Sequence, residues 1–461
     1  MNECTISETV REQISARAGL VGLGIKIRAL GLLKVLADEV KIAQKTVKYA
    51  PHEKLTDGLM AILAGAKGLV ETNKRVRSDA ALQMAFGRTG CAEQSVVQDT
   101  LAACTEKNVT QMEGAVALIF RAHSQTCHHD YLRAWLLVDV DMTGHPCGRK
   151  AEFASKGYFA KQRNRRGRQE GYVVASQYEE LVCKRLYDGT TQLNVAFQPL
   201  LQAAQETLQA TPAQRARTIL RVDSGAGSVD DVNYALGQGY QLHGKDYSGR
   251  RAAHLAESVK EWFLDPRDAD RQMGWVTEKT TLYTRPVSRI AVRCRKKNGQ
   301  WGTGVILSTL SAREVLLLTG QSVALETDPQ AVILAYVRFY DLRGGGVELE
   351  IKEDKQGFAT PKRNKKRFAA QQMLCQLETL AHNLLIWARN WLAPCAKKIA
   401  RFGILRIIRD LLHITGKVEI AEDHRIGKIV FNAADPFTIH VLPGLTALLV
   451  GEHVAICSGE I

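Results

Sequence analysis

Residues 134–141 read AWLLVDVD, an apolar run that ends in acidic residues. A continuous apolar run of this length predicts a strand that is buried on both faces of a sheet. A second run, ILRVD at 219–223, also ends in an acid and leads into the glycine-containing turn SGAGS at 224–228. If the two strands are neighbours, their terminal carboxylates meet at one edge of the sheet. The two runs therefore predict an α/β fold with an acidic site at that edge.

Strands and helices alternate around these two runs. A hairpin is predicted after the first run. A helix is predicted before the second run, and a helix and a short strand are predicted after it. This order indicates a mixed α/β sheet. The predicted strands cover 171–176, 181–186 and 240–243, and the predicted helices cover 195–209 and 230–236.

The N-terminal 130 residues carry helical periodicity instead. Leu55, Leu59, Ile62 and Leu63 recur at three- and four-residue spacing, which predicts one helix with a buried face. Two short helices around a turn at Gly90, the second capped by Ser95, fit either a helix-turn-helix reader of DNA or a plain helical bundle.

The segment 274–343 is rich in predicted strands, at 283–292, 303–307 and 314–318, separated by Asn298-Gly299 and Thr319-Gly320 turns. After Glu348 the chain becomes helical and basic, with apolar residues at helical spacing through 377–412. Trp387 and Trp391, one helical turn apart, suit a basic membrane-surface helix or a packed core helix, and core packing is favoured.

The composition points to a polyanionic partner. The chain of 461 residues has 62 Lys+Arg against 48 Asp+Glu, a net charge of +14. Such a balance favours nucleic acid or an anionic membrane surface. No run of about 18 uncharged apolar residues exists, and the N-terminus lacks a secretory pattern, so a cytosolic protein without a membrane span is expected.

The ten cysteines contain no CxxC pair, which indicates free thiols in a reducing compartment. The run Cys127-His128-His129 lacks a second pair at zinc-site spacing, so a zinc site is not expected there.

Carboxylates crowded at a sheet edge are tolerated when they share cations, and Mg²⁺ prefers carboxylate oxygen. A third acid is therefore expected beyond the β-rich segment. Glu348, Lys352 and Lys355 would place one acid for metal and two cations for DNA phosphate on one helix face. The preceding glycines weaken the helix, so Glu350 stays open as an alternative. Asp139 stays open beside Asp141, because the two share a strand face.

Three blocks of the chain, in this order, resemble the DDE transposases of bacterial insertion sequences, in the group with a Tyr-Arg-Glu-Lys signature. The blocks are LVDVDMTG at 137–144, ILRVDSGAGS at 219–228 and YDLRGGGVELEIKEDK at 340–355. The hairpin RGRQEGYVVASQYEELVCKRLYDGT at 166–190 and the helix LAHNLLIWAR at 380–389 support the likeness.

The resemblance implies an RNase H-like core interrupted by a β-rich insertion. It assigns Asp141, Asp223 and Glu348 as the catalytic triad that holds two Mg²⁺ or Mn²⁺ ions. It also assigns Tyr340, Arg343 and Lys355 to DNA near the cut. The sequence departs from the pattern in one place, since four residues separate Arg343 from Glu348 where the family has three.

The implied organisation has five parts. These are a helical N-terminal DNA-binding domain (1–130), a first part of the core (131–272), the β-rich insertion (273–335), closing core helices (336–392) and a C-terminal region (393–461).

Two basic runs flank the acidic site, at 161–168 and 362–367, and predict contacts with the DNA backbone. The residues concerned are Arg163, Arg165, Arg166, Arg168, Lys365 and Lys366.

The implied function is DNA strand cleavage at transposon ends and transfer of those ends into target DNA. Double-stranded DNA would be the substrate, bound by a homodimer on paired ends, in the cytoplasm at the nucleoid. Two alternatives stay open: an RNase H-like nuclease without strand transfer, and a decayed copy that only binds DNA.

Overall fold

The computed structural model describes residues 11–45, 48–159, 162 and 164–461. These residues divide into two compact units, each assembled from separate stretches of chain. The helical unit contains the described residues of 1–124, His145–Ala154 and Lys352–Ile461. The sheet unit contains Gln125–Gly144 and the described residues of Ser155–Ile351.

The elements are numbered along the described chain. The strands are β1 (Arg11–Ser15), β2 (Leu136–Pro146), β3 (Ser155–Lys156), β4 (Arg166–Ala175), β5 (Glu180–Asp188), β6 (Thr218–Val222), β7 (Gln241–Lys245), β8 (Phe263–Asp265), β9 (Asp268–Trp275), β10 (Ser288–Arg295), β11 (Trp301–Ser308), β12 (Gly416–Ile420), β13 (Ile426–Asn432) and β14 (Ala455–Gly459). The helices are α1 (Ala18–Ala29), α2 (Leu32–Glu39), α3 (Pro51–Leu63), α4 (Thr72–Arg75), α5 (Ala80–Ala85), α6 (Gln94–Ala103), α7 (Glu106–His123), α8 (Leu193–Leu208), α9 (Pro212–Ala216), α10 (Val229–Gly237), α11 (Gly249–Glu257), α12 (Ala312–Leu318), α13 (Pro329–Asp341), α14 (Val347–Gly357), α15 (Phe368–Leu392), α16 (Ile404–Arg406) and α17 (Thr438–Leu448).

The sheet unit is built on one mixed sheet in the order β3-β4-β2-β6-β7-β11-β10-β9-β8, with β5 paired to β4. Strands β4 and β5 form an antiparallel hairpin, whereas β2, β6 and β7 run parallel to one another. In the central order β5-β4-β2-β6-β7, strand β2 lies in the middle. The hairpin of β4 and β5 lies on one side of β2, and the parallel strands β6 and β7 lie on the other. The predicted mixed α/β, RNase H-like fold is confirmed.

The two acid-ended runs are neighbouring parallel strands. Leu136 to Val140 of β2 pair in register with Thr218 to Val222 of β6. In the paired part of the two strands the apolar side chains are buried, apart from the partly buried Leu137, which is why the runs are continuous rather than alternating. Strand β2 continues to Pro146, beyond the end of the predicted run, but its parallel pairing with β6 ends at Val140 and Val222. Asp141 and Asp223 are the next residues of the two strands, so the pairing brings them together.

The β-rich segment extends the same sheet. Strand β11 pairs antiparallel with β7, and β10 and β9 continue the sheet outward. The predicted Asn298-Gly299 turn joins β10 to β11: Gly299 has φ +79 and the Lys296 amide donates to the Gln300 carbonyl at 2.8 Å. Apolar residues of this layer, including Ile290 and Ile306, pack with those of α12 and α13.

The strand predicted at 314–318 is wrong, because these residues belong to α12. The carboxylate of Glu314 accepts from the Ser311 amide at 2.7 Å and from its hydroxyl at 2.9 Å. This capping box starts a helix, and the local cap outweighs the strand preference of the apolar residues that follow.

The helical unit contains a four-stranded sheet, in the order β1-β12-β13-β14, and a group of helices. The predicted helix around Leu55 is α3, in which Leu55, Leu59, Ile62 and Leu63 are fully buried. Helix α6 begins at Gln94, so Ser95 lies inside the helix and is not its cap. Residues 86–93 separate α5 from α6, a longer link than the three or four residues of a helix-turn-helix, which favours the bundle reading.

The basic helix predicted over 377–412 ends earlier than the spacing of its apolar residues suggested. Helix α15 ends at Leu392, and Pro394 follows two residues later, so 377–412 is not one helix. Trp387 is only 2% exposed, as expected of core packing. Among the described residues, no helix has the length and apolar character needed to cross a membrane.

Candidate active site

In the sheet unit, Asp141 directly follows the part of β2 that pairs with β6, and Asp223 directly follows the last residue of β6. Asp223 caps the short turn Ser224–Ala226, where its carboxylate accepts from the Gly225 amide at 2.7 Å. Burial raises the pKa of Asp141 to about 6; the nearby Arg343 opposes the shift and the charge of Asp223 adds to it. The two carboxylates are therefore close enough for one to disfavour ionisation of the other.

Arg343 joins this pair to the third predicted acid. Its Nη2 lies 2.9 Å from Asp141 Oδ2 and donates to the Val140 carbonyl at 3.1 Å, while its Nη1 lies 3.3 Å from Glu348 Oε1. The Arg343 side chain is only 4% exposed. Burial lowers the pKa of Arg343, but Asp141 and Asp223 raise it by more, so the guanidinium stays charged.

Glu348, rather than Glu350, faces this cluster. The side chain of Glu348 is 58% exposed and paired with Arg343, whereas Glu350 is buried at 2% exposure. The segment Leu342–Gly345 forms a tight 3₁₀ turn before α14 begins at Val347. Gly346 passes so close to the Asp139 carboxylate that a side chain there would clash. The glycines therefore accommodate the extra residue between Arg343 and Glu348.

Asp139 has a different environment from Asp141. It is fully buried and accepts from Arg221 through two bonds, Nε to Oδ1 at 2.6 Å and Nη2 to Oδ2 at 2.8 Å. The Ser176 hydroxyl also donates to Asp139 Oδ2, at 2.5 Å. These bonds neutralise and saturate the carboxylate. Of the two acids, Asp141 is thus the one that reaches the cluster.

Tyr340, on the last turn of α13, completes the cluster. Burial raises the pKa of its phenol to about 12; Arg343 opposes the shift, whereas Asp223, Glu348 and Asp141 add to it. The Tyr340 phenol therefore lies within electrostatic reach of all three carboxylates. The structure thus brings together five of the residues singled out in the sequence: Asp141, Asp223, Tyr340, Arg343 and Glu348.

A cleft of about 650 Å³ opens against Tyr340, and the sequence had not singled out its other lining residues. Lys245 and Arg271 of the cleft lie on β7 and β9, Lys296 directly follows β10, and two glycines of β11 form part of the wall. Arg271 is paired with Asp341 at 2.7 Å, which offsets part of the positive charge. The sequence shows only that these cations lie near the ends of strands. They form a cluster only when the strands pair. The residues that define the cleft include Lys245, Arg271, Lys296, Trp301, Gly302 and Gly304.

Two of the cations predicted to contact DNA have buried side chains. Arg168 is fully buried in β4, and Lys365 is only 8% exposed, with its Nζ donating to Gln98 Oε1 at 2.6 Å. Burial lowers the pKa of Lys365 to about 8, with a further decrease from Arg363. Neither side chain is available to a DNA phosphate. Arg343 is also buried, and its guanidinium contacts carboxylates.

The other predicted DNA contacts are placed as follows. Arg165 and Lys366 are exposed, and Arg166 and Lys355 are half-buried. Lys355 belongs to α14 and lies in the helical unit. Arg163 lies outside the described residues.

Comparisons with known proteins add a family. The family model described as "Transposase DDE domain group 1" matches residues 8–436. The cryo-EM structure of the piggyBac transposase synaptic complex with hairpin DNA aligns with a TM-score of 0.46 at 10% sequence identity. That alignment covers 84% of this chain and 79% of that chain. No curated protein sequence matches the chain.

Proposed function

The chain belongs to the transposase DDE domain family, and from this premise we propose that it cuts DNA at the ends of its own mobile element and joins those ends to target DNA. The mobile element would be a bacterial insertion sequence. Two copies of the chain would act together on paired terminal repeats, in the cytoplasm at the nucleoid.

The observation that carries this proposal is the arrangement of three carboxylates around one cationic side chain. Asp141, Asp223 and Glu348 come from three distant segments of the chain, and each raises the pKa of the same Tyr340 phenol. Arg343 contacts Asp141 and Glu348 directly. A purely structural ion pair needs one acid for one base, so the excess of acids favours a site for added cations.

The residues fit divalent metal ions of the magnesium type. Carboxylate oxygens are the ligands that Mg²⁺ and Mn²⁺ prefer. Burial raises the pKa of Asp141 and the charge of Asp223 adds to the shift, so a second carboxylate lies within electrostatic reach of Asp141. Asp141, Asp223 and Glu348 would hold two ions, which when bound would activate the attacking oxygen and stabilise the leaving oxygen.

The chain's own residues would position the DNA. Arg343 would keep Asp141 and Glu348 oriented toward the same space through its two ion pairs. With a pKa of about 12, Tyr340 keeps its proton at neutral pH, so it would donate a hydrogen bond and not act as a base. Lys245 and Lys296 in the adjacent cleft would contact backbone phosphates.

Two alternatives are separated by activity. An RNase H-like nuclease would nick DNA without joining strands, and a decayed copy would bind the ends without nicking. The extra residue between Arg343 and Glu348 is the feature of the sequence that suggests a decayed copy. The turn Leu342–Gly345 absorbs that residue and leaves Glu348 in contact with Arg343, which supports an intact site.

Asp223→Asn tests the proposal, with Asp230→Asn as the matched control. Both variants remove one carboxylate charge, but Asp230 is exposed on the first turn of α10 and is not among the acids assigned to the site. Loss of a main electrostatic element typically lowers a rate by about 10² to 10³ or more. We therefore expect Asp223→Asn to abolish Mg²⁺-dependent nicking of a duplex that carries the element's terminal repeat, and Asp230→Asn to nick normally.

End binding, followed by gel shift, should survive in both variants, because loss of a carboxylate does not weaken attraction to phosphate. Equal nicking by Asp223→Asn and the parent protein would refute the assigned site. Specific binding by all three proteins with nicking by none would favour the decayed copy. Nicking without strand joining would favour the nuclease.

A further inference from the structure

Two consecutive tight turns project from the helical unit at residues 148–154. The Ala151 amide donates to the Gly148 carbonyl at 3.0 Å, and the Ala154 amide donates to the Ala151 carbonyl at 3.2 Å. Arg149 and Lys150 occupy the two central positions of the first turn, and both are exposed. This double turn follows the strand that carries Asp141, but it is not part of the acidic cluster.

Phe153 has an unusual conformation in the second turn. It is the third residue of that turn and has φ +57, a left-handed conformation that such turns normally assign to glycine or asparagine. For a bulky aromatic residue this conformation is strained. The Phe153 side chain is 63% exposed. Burial of its ring therefore does not explain why a phenylalanine occupies this strained position.

The second turn is held firmly against the segment that precedes α15. The Glu152 amide donates to the Lys366 carbonyl at 2.9 Å, and the Phe368 amide donates to the Glu152 carboxylate at 2.7 Å. The rings of Phe153 and Phe368 meet edge to face, with their centroids 4.8 Å apart. The exposed part of the Phe153 ring is thus presented by a fixed backbone.

Four exposed cations lie on the two segments that meet at Phe153. Arg149 and Lys150 lie on the first turn, and Lys366 and Arg367 directly precede α15, where the Arg367 guanidinium donates to the Ala102 carbonyl. The acid among these residues, Glu152, is engaged by a backbone amide. An apolar ring within a basic border complements DNA, in which charged phosphates flank apolar base faces.

We propose that the double turn at 148–154 is a DNA wedge, in which Phe153 inserts between two base pairs while the neighbouring cations hold the phosphates. Apolar side chains that enter a groove in this way partly unstack a base step and kink the duplex. The inference depends on the proposed function in one respect only, namely that the partner is DNA. It requires neither metal nor cleavage.

The strain at Phe153 makes the proposal testable. A structural phenylalanine would stabilise the fold, so its removal would lower the melting temperature. If Phe153 instead serves to contact DNA, its removal should not lower the melting temperature but should impair DNA recognition. Phe153→Gly relieves the left-handed conformation, so the melting temperature should stay unchanged or rise, while recognition of deformed DNA should be lost.

Two 30-base-pair probes of the same sequence serve as ligands, one fully paired and one with two central mismatched pairs. Mismatched steps cost less to unstack, so a wedge prefers them. In EDTA, we expect the parent protein to bind the mismatched probe about tenfold more tightly than the paired one, a difference within the few kcal/mol of an unstacked step. Phe153→Gly should lose this preference, and Phe153→Trp should keep it.

Ile439→Ala is the control for loss of an exposed apolar residue, since Ile439 is 69% exposed in the same unit. Its preference should match that of the parent protein. Replacement of Arg149 and Lys150 by Ala should weaken binding to both probes more than replacement of the exposed Lys397 and Lys398 does. The second pair removes the same total charge from elsewhere in the unit.

Several outcomes would overturn the wedge. They are no preference in the parent protein, full preference in Phe153→Gly, or a lower melting temperature of Phe153→Gly with its preference intact. Equal weakening by the two pairs of cation variants would remove the first turn from the interface. Nicking by a parent protein without preference would refute the wedge alone, whereas preference without nicking would refute only the proposed catalytic activity.

Discussion

Asp139 and Asp141 lie two residues apart on one strand face, yet their surroundings give them different tasks. Asp139 is fully buried and saturated by Arg221 and Ser176, so it stabilises the junction of β2, β4 and β6. Asp141 is partly exposed and lies beside two other acids, where a carboxylate can hold a cation. The sequence predicted that one of them reaches the site. The resemblance assigned Asp141, but the strand pattern alone left Asp139 open, because Arg221 becomes the partner of Asp139 only through the register of β2 and β6.

Replacement of these two acids by Asn should have opposite consequences. Asp139→Asn leaves the Arg221 side chain, 3% exposed, without its counter-charge, and breaking a buried pair in this way costs about 3–5 kcal/mol. Asp141→Asn should abolish nicking but change the free energy of unfolding much less, because Arg343 keeps Glu348 and the Val140 carbonyl. Urea unfolding and nicking assays on both variants give the comparison.

A double variant tests the pair itself. Asp139→Leu combined with Arg221→Met removes both charges at once and should recover most of the stability that Asp139→Asn loses. If Asp139→Asn proved stable but inactive, and Asp141→Asn unstable, Asp139 would replace Asp141 in the triad.

His243 on β7 makes the stability of the sheet unit sensitive to acid. Its Nε2 lies 3.1 Å from the Tyr336 carbonyl, which can only accept, and its Nδ1 lies 3.0 Å from the Ser308 hydroxyl. Burial lowers the pKa of His243 to about 3, with a further decrease from Arg221 and a smaller opposing effect of the Tyr336 bond. The folded protein therefore keeps this histidine neutral at pH values where the unfolded chain is protonated.

The resulting stability is fully present above pH 6.5 and is lost as the pH falls from 6.5 toward 3. Between pH 7 and pH 5 we expect His243 to lower the free energy of unfolding by about 2 kcal/mol. Urea unfolding at both pH values measures the effect. His243→Gln should lose that part of the pH dependence, whereas His424→Gln, at an exposed position, should retain it. Identical pH profiles for all three proteins would contradict the assignment.

Among the elements, α12 shows how a local cap can decide between strand and helix. The apolar residues after Glu314 suit a strand, and they follow two genuine strands, so periodicity alone favoured a third. Ser311 and Glu314 stand at the two positions of a capping box, and this signal was present in the sequence. The composition of the segment favours a strand, whereas its first residues specify a helix.

The cap should contribute measurably to stability. Ser311→Ala removes the side chain that accepts from the Glu314 amide and should lower the free energy of unfolding by about 1 kcal/mol. Glu314→Gln should cost less, because glutamine can also occupy the reciprocal position of a capping box. Thermal or urea unfolding distinguishes the two variants. A larger loss for Glu314→Gln than for Ser311→Ala would show that charge, not the cap, matters there.

Strands β2 and β6 were predictable because both of their faces are buried. Continuous apolar runs mark such strands, and their parallel pairing brings the terminal acids to one edge, as the register of β2 and β6 shows. The cleft beside Tyr340 was not predictable in the same way. Lys245 and Lys296 lie far apart in sequence and meet only because β11 pairs with both β7 and β10.

At the scale of the whole molecule, each unit is assembled from stretches that are distant in sequence. Strand β1, near the start of the chain, pairs with β12, so residues 11–15 and 416–420 form one sheet. The helical unit likewise includes both N-terminal and C-terminal helices. Boundaries drawn along the sequence, such as 1–130 and 393–461, cannot express this, because local patterns carry no information about which distant segments pack together.

The net charge of +14 predicts DNA binding that depends steeply on salt. Each phosphate neutralised by a cation contributes a slope of about −0.9 in log K against log salt concentration. Arg165 is exposed and Arg166 is half-buried, at the start of β4. Replacement of both by Ala should flatten the slope by up to about two units if each contacts one phosphate.

The matched control replaces Lys260 and Arg267, two exposed cations of the same unit, by Ala. Both double variants lower the net charge by the same amount, so a general effect of charge would change the two slopes equally. A contact made by Arg165 and Arg166 changes only theirs. The measurement is a titration of terminal-repeat DNA at several salt concentrations, and an unchanged slope for Arg165→Ala with Arg166→Ala would remove the start of β4 from the DNA interface.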